Sequence, residues 1–333
     1  MSLELHYNVY GCFRPPADDI ELAKAAVDAG FEGIWTGDHF MPWIDSRPYT
    51  HHPFPWFGTL MSEVPDVPVG TSVTCPMIRY RPPLLAQAIA TLDNMFPGRF
   101  NIGVGVGEAL NEAHFLDRAW PSWGERAEMM IESLDLMGEL WNADEYVSFD
   151  GEYFSYDGIK LYTPPREDVT IHWAGWGPRS CQYAGEHAGN VLTTESPEAI
   201  EERILPNFQE GLERTGRKLN EADVTIEFGV NVGEADALTT EIRERGEYIP
   251  ADSELDNPDP RSIQAVADER LAEFSDEELV ESYRITQDAD QIIEWLEEYE
   301  HAGVTRVLVG SSLGDAYRTI ELFENEIIPH FAD

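Results

Sequence analysis

The sequence predicts a closed parallel (β/α)8 barrel of the TIM type, a single domain over residues 1–333. Three observations predict it. Eight short apolar, β-rich runs recur along the chain, and amphipathic helical patterns separate most of them. No Gly-rich G-x-G-x-x-G turn follows the first run, where a doubly wound dinucleotide fold would carry one.

The expected strands are Leu5–Tyr10, Gly33–Thr36, Val67–Val73, Phe100–Val106, Val169–Ala174, Asn190–Thr194, Val224–Val232 and Val304–Val309. A helix over Ile20–Ala29 ends at Gly30, a natural residue to follow a helix C-terminus. Leu84–Met95 and Arg126–Leu140 place apolar residues at three- and four-residue spacing. Pro178–Ala188, Pro197–Arg214 and Ala289–Ala302 follow, with Pro197 suited to a first helical turn, and Asp315–Ile328 closes the set. Two stretches break the rhythm. Trp141–Pro165 reads as a helix end and a hairpin-like excursion; Glu234–Asp276, acidic and proline-spotted, reads as an insertion after the seventh strand. An insertion there sits over the C-terminal mouth of a barrel as a lid or substrate wall. No repeat or linker divides the chain.

Sixty-three acidic residues against 22 Lys and Arg give a formal charge of −41, while aromatics make up 11%, too many for a disordered acidic chain. The acids fall on helix surfaces and loops, as in Glu198–Glu202, Asp268–Glu281 and Glu294–Glu300, and lysine is confined to Lys24, Lys160 and Lys218. Such self-repulsion needs screening, and molar salt shortens the Debye length to about 3 Å. A halophilic cytoplasm is the expected setting. Nucleic acid and anionic membrane are both excluded as partners by this surface charge. No apolar run is long enough to span a bilayer, and the N-terminal Met1-Ser-Leu-Glu-Leu-His-Tyr lacks the layout of a signal peptide. Cys12, Cys75 and Cys181 are too scattered for a disulfide framework or a metal site.

Barrel chemistry gathers just past the strand C-termini, which selects four clusters. Asp38-His39, with Trp43, follows the second strand; a histidine beside a carboxylate is a group titrating near neutrality, or equally a structural residue. Ser72-Val73-Thr74-Cys75-Pro76 ends the third. Gly103-Val-Gly105-Val106-Gly107-Glu108, then Asn111 and Glu112, follows the fourth; its glycines admit a ligand close to backbone, and both acids also suit a helix N-terminus. The fifth runs through His172-Trp-Ala-Gly-Trp176-Gly177-Pro178-Arg179-Ser180, where free N–H donors beside an arginine would seat a phosphate, or merely form a tight turn. His51-His52, in the Pro- and aromatic-rich loop Tyr49–Trp56, cannot share one face, so a metal pair is not expected.

These residues resemble the coenzyme F420-dependent dehydrogenases of the bacterial luciferase-like superfamily, especially their secondary-alcohol and glucose-6-phosphate members. The likeness spans most of the chain and is strongest over Glu32–Phe154 and Ile171–Thr194. It rests on Gly37-Asp-His-Phe40 with Pro42-Trp43, Gly70-Thr-Ser-Val73, Ala86-Gln-Ala-Ile-Ala-Thr91 and, most specifically, Gly103-Val-Gly-Val-Gly107-Glu108-Ala-Leu-Asn111-Glu112. It implies F420, a 5-deazaflavin accepting hydride at C5, bound in the barrel mouth against a non-prolyl cis peptide at Ser72-Val73. Asp38, Cys75, Val106, Gly107 and Asn111 would line the ring, and Trp176, Gly177, Arg179, Ser180 and Thr194 its phosphate end. On this likeness His39 is the expected base for the substrate hydroxyl, Glu108 manages the proton at the ring's N1 edge, and Trp43 packs on substrate. A homodimer is expected too.

One departure bears on substrate. The sugar-phosphate enzymes hold the substrate phosphate with two lysines and an arginine; this chain has Pro197 at the first of those positions. Ala251–Tyr283 offers only Arg261 and Arg270, with Arg284 just beyond. A neutral alcohol or unphosphorylated sugar is therefore expected, unless Arg261 or Arg284 turns into the mouth. The alternatives are a glucose-6-phosphate dehydrogenase of this type and an FMN-dependent luciferase-like monooxygenase.

Overall fold

The computed structural model describes residues 3–64, 67–246 and 256–332. Eight parallel strands close into a barrel: β1 (Glu4–Asn8), β2 (Ile34–Thr36), β3 (Val69–Thr74), β4 (Phe100–Val104), β5 (Thr170–Ala174), β6 (Asn190–Thr193), β7 (Val224–Gly229) and β8 (Arg306–Gly310). Each pairs with its sequence neighbours, and Glu4↔Arg306 through Tyr7↔Val309 joins the last to the first. All eight predicted strands are present. The predicted Val224–Val232 divides, because Asn231–Val232 leaves the barrel to pair with Ile285–Thr286.

The early helices α1 (Pro16–Asp28), α2 (Pro53–Glu63), α3 (Pro82–Met95) and α4 (Trp123–Asn142) pack outside the barrel. Gly30 follows α1 with φ +101°, a conformation glycine adopts without strain. The α2 helix corrects the reading of Tyr49–Trp56 as loop: Pro53 occupies the first turn, and Phe54, Trp56, Phe57 and Leu60 are buried against the barrel wall. The predicted Pro197–Arg214 and Asp315–Ile328 helices each contain one wide π turn, at Ile200–Ile204 and Phe323–Ile327. After α4 the chain makes the expected antiparallel hairpin, Val147–Asp150 with Ser155–Ile159.

At the N-terminal ends of the strands the barrel is plugged by charge. Arg306 donates to Glu4 at 2.8 Å and to Asp223 at 2.9 Å, while Trp35 Nε1 donates to His6 Nδ1 at 2.9 Å. The His6 hydrogen bond and the Arg306 charge hold Glu4 down to about 2 against its partial burial. The open mouth is therefore the C-terminal end.

Of the predicted Glu234–Asp276 insertion, residues 247–255 lie outside the described residues. The rest forms helices Ala235–Arg245 and Pro260–Leu271. Ile263 and Ala267 of the second pack with Ile44 and Leu110, and with Met41 and Trp43 at the edge of that cluster. Ser46 N donates to Gln264 and Ser46 Oγ to the Arg245 carbonyl. The insertion thus rests on the β2 loop.

Candidate active site

The mouth is shaped first by glycine. The β3 ladder slips between Thr71 and Thr74, and the Ser72–Val73 peptide within the slip is cis, as the likeness implies. A Cβ at Gly103 would stand 2.0 Å from the Thr71 carbonyl oxygen, and one at Gly105 2.7 Å from Val73. Only glycine lets β4 lie against this bulge. Gly107, at φ +82°, turns the chain so that Cys75 and Glu112 approach where its side chain would be. Cys75 is buried, which pushes its thiol far above the ordinary range, and Val106, in the turn, is half-buried.

Asp38 does not serve His39. Its carboxylate accepts from Thr74 Oγ1 at 2.8 Å, Arg79 Nη2 at 2.8 Å and Tyr80 OH at 3.2 Å. Arg79 also meets Glu112, through its backbone N–H at 2.9 Å and Nε at 3.4 Å. Glu112 is hence a buried partner of Arg79 and not a solvated helix-end charge. Burial lifts its carboxyl to about 7 even though the guanidinium pulls it down. One arginine holds two buried acids and so ties the β2 loop to the turn after β4.

Above this hub stand His39, Trp43, Glu108 and Asn111. Asn111 Oδ1 accepts from the Phe40 and Met41 backbone N–H groups at 2.8 and 3.2 Å. Its Nδ2 lies 3.0 Å from His39 Nδ1 and 3.3 Å from Glu108 Oε2. The His39 ring tilts against Trp43 at 5.8 Å. The expectation that His39 titrates near neutrality is corrected: desolvation pushes it down to about 4, more than the neighbouring Asp38 charge restores. Glu108 moves the other way, to about 8, through burial and the nearby Glu112. At neutral pH the histidine is uncharged and the glutamate largely protonated.

The phosphate-end residues form a second group at the ends of β5 and β6. Trp176 Nε1 donates to Thr194 Oγ1 at 2.8 Å, and Arg179 lies along Tyr183, giving its hydroxyl a hydrogen bond at 2.9 Å. The donors expected to be free here are partly taken, because Ser180 Oγ accepts from the Trp176 and Gly177 N–H groups at 3.2 and 3.1 Å. Arg261 is exposed and fastened to Asp259, at 2.9 and 2.8 Å. Arg284 stacks on Phe228 at 4.7 Å, on the side of β7 that packs against Trp295 and Tyr299, outside the barrel wall. His51 and His52 have different neighbours, Trp56 and Tyr80.

Sequence reasoning missed Arg79, Tyr80 and Glu227. Arg79 and Tyr80 lie well past the end of β3 at Thr74, beyond the positions that barrel geometry picks out. Glu227 sits inside β7 beside Ser72 and the Tyr10 ring; burial raises it to about 7, and the Ser72 hydroxyl draws it back. A carboxylate in the mostly apolar run Val224–Val232 was its available signal.

A family model described as luciferase-like monooxygenase matches residues 3–306. The F420-dependent glucose-6-phosphate dehydrogenase of Nakamurella multipartita is 32% identical over 318 residues, covering 94% of this chain and 92% of its own. That of Mycolicibacterium gilvum is 30% identical over 333 residues, with 98% of each chain covered. A solved F420-dependent secondary alcohol dehydrogenase, in complex with an F420-acetone adduct, aligns at TM-score 0.92 and 29% identity over 100% of both chains. The chain belongs to the luciferase-like monooxygenase family.

Proposed function

We propose a small neutral alcohol or an unphosphorylated sugar as the substrate of this enzyme, a coenzyme F420-dependent dehydrogenase of CH–OH donors. The F420 assignment follows from the two related dehydrogenases and the matching fold of the alcohol enzyme. Bound F420 supplies the hydride-accepting carbon. The residues present suit a flat ring with a polar edge: the Ser72–Val73 bulge frees its backbone groups from the strand ladder, Thr74 just beyond it holds Asp38, and Asn111 stands beside His39. Val73, Cys75, Val106 and Gly107 would form the wall, with Trp176, Gly177, Arg179, Ser180 and Thr194 toward the phosphate end. Trp43 would pack on the substrate, His39 would meet its oxygen, and Glu108 would lie by the ring's N1 edge.

The observation carrying the choice of substrate is where the arginines go. Arg261 is held by Asp259 and Arg284 by the outer face of β7, while Arg79 is committed to Asp38 and Glu112. A dianionic phosphate would enter a strongly acidic protein with its nearest candidates turned away. The test is turnover in molar salt with F420 and matched pairs such as glucose and glucose 6-phosphate. Turnover of the phosphorylated sugar alone would refute the neutral substrate.

A halophilic cytoplasm and a homodimer belong to the same reading. The charge of −41 supports the first. Exposed Leu84 and Met95 on α3 supply apolar contact for the second. Among the described residues no helix is long and apolar enough to cross a membrane.

A further inference from the structure

Phe228 points outward onto Trp295 and Tyr299, so its strand neighbours Glu227 and Gly229 point into the barrel. Leu308, level with Glu227 on β8, packs with Trp35 and Leu192 inside the lumen, in keeping with that direction. Accessible surface begins at this level. On β7 Thr225 is fully buried whereas Glu227 is not. On β3, four strands away and therefore across the barrel, Thr71 is fully buried whereas Ser72 is not. The Ser72 hydroxyl is near enough to draw the Glu227 carboxyl down, so that carboxyl reaches over the Trp35–Leu192–Leu308 plug and floors the mouth.

Tyr10 closes another side. Its backbone stands at φ +62°, a costly conformation for tyrosine, and its N–H is given to Asn8 Oδ1 at 3.1 Å. Its ring lies over the ends of β7 and β8: a Cβ at Gly310 would be 2.4 Å from Cζ, and one at Gly229 3.5 Å from the hydroxyl. A Cβ at Gly37 would meet both the Tyr10 carbonyl, at 2.9 Å, and the His39 ring, at 3.0 Å. The cavity above Glu227 thus reaches His39. Burial raises the Glu227 carboxyl, and among the described residues no cation offsets it. Such a group is costly to leave without a partner. Ionised or protonated it accepts a hydroxyl hydrogen, and protonated it also donates, so either form can hold a hydroxyl. A flat ring against the β3 bulge leaves the β7 side of the lumen to the substrate.

We infer that Glu227 is a specificity-determining residue that binds a second hydroxyl of the substrate, which is therefore a diol, polyol or sugar and not a simple alcohol. The inference rests on the dehydrogenase reading and narrows it. A site built to hydrogen-bond a hydroxyl rejects the analogue that lacks it.

The test compares pairs that differ by a hydroxyl in place of a methyl, 1,2-propanediol with 2-butanol and 1,4-pentanediol with 2-hexanol, in molar salt with F420. The diol of at least one pair is expected to exceed its partner in kcat/KM by on the order of 10–100-fold. E227L should erase that preference by losing the diol alone, and E227Q, whose amide also accepts and donates, should keep it. F420 affinity should be the same in all three proteins. A ratio near one for both pairs in the unmodified enzyme overturns the inference whether or not the variants fold. So does an E227L protein that keeps the preference, or one whose loss is in F420 affinity. Diol binding is read separately, from the tryptophan fluorescence of the F420-loaded protein. Binding that E227L weakens, with no turnover of any CH–OH compound, overturns the dehydrogenase reading and leaves the hydroxyl site standing. Neither binding nor turnover overturns both.

Discussion

Arg79 carries two buried acids, Asp38 and Glu112, that lie on different loops. Replacing it with methionine leaves both without their cation, and an uncompensated buried charge costs about 3–5 kcal/mol. R79M should lose that much in urea denaturation at fixed molar salt; a loss under about 1 kcal/mol would show that the hub is not a structural tie. Glu108 links stability to pH. Its native carboxyl, near 8, is raised above the usual 4.5, so the folded state binds more protons than the unfolded chain between those values. Its contribution is therefore most favourable at low pH and declines as pH rises from about 4.5 to about 8. E108Q should match the parent at pH 5 and be more stable than it at pH 9, while losing turnover. Equal stability of the two at pH 9 would contradict the burial of this carboxyl. The candidate strand-end residues were legible in sequence because barrel geometry places them at the mouth. Arg79 and Glu227 were not, because their meaning comes from partners brought near only by folding: Asp38 and Glu112 for one, Ser72 for the other.

At the scale of elements, strands were easier to read than helices. Apolar runs bounded by polar loops carry their own signal, whereas α2 begins His52-Pro-Phe-Pro-Trp, a proline- and aromatic-rich segment that reads as loop until its apolar face finds the wall. The wall helix Pro260–Leu271 was foreseen only as an insertion above the mouth; that Ile263 meets Ile44 and Leu110 is a tertiary fact. This contact ties the insertion to the loop that carries His39 and Trp43. I263A removes a fully buried side chain at about 2–4 kcal/mol, much of it local to the wall. Its expected effect is a several-fold higher KM for the alcohol with F420 affinity unchanged, checked by steady-state kinetics and cofactor titration. Weakened F420 binding with KM intact would place the helix over the cofactor instead. At the opposite end, Arg306 with Glu4 and Asp223 closes the barrel far from the chemistry, so R306L should lower stability and leave the pH profile of turnover in place.

For the whole molecule, charge and fold pull against each other. A barrel of 333 residues with a formal charge of −41 is held together against its own surface. Raising salt from about 0.1 M to about 1 M shortens the screening length from about 10 Å to about 3 Å, and Tm should rise by roughly 10 °C. A Tm indifferent to salt would remove the halophilic reading while leaving the active-site argument untouched. The Gly37–Trp43 and Gly103–Glu112 segments, both conspicuous in the sequence, meet through Asn111. The most direct test of the central claim is to mix the protein with oxidised F420 in molar salt, add small alcohols and sugars one at a time, and follow the visible absorption of the deazaflavin. The account predicts alcohol-dependent bleaching that E108Q nearly abolishes. Retention of FMN in place of F420, with substrate consumed only in the presence of O₂, would contradict it.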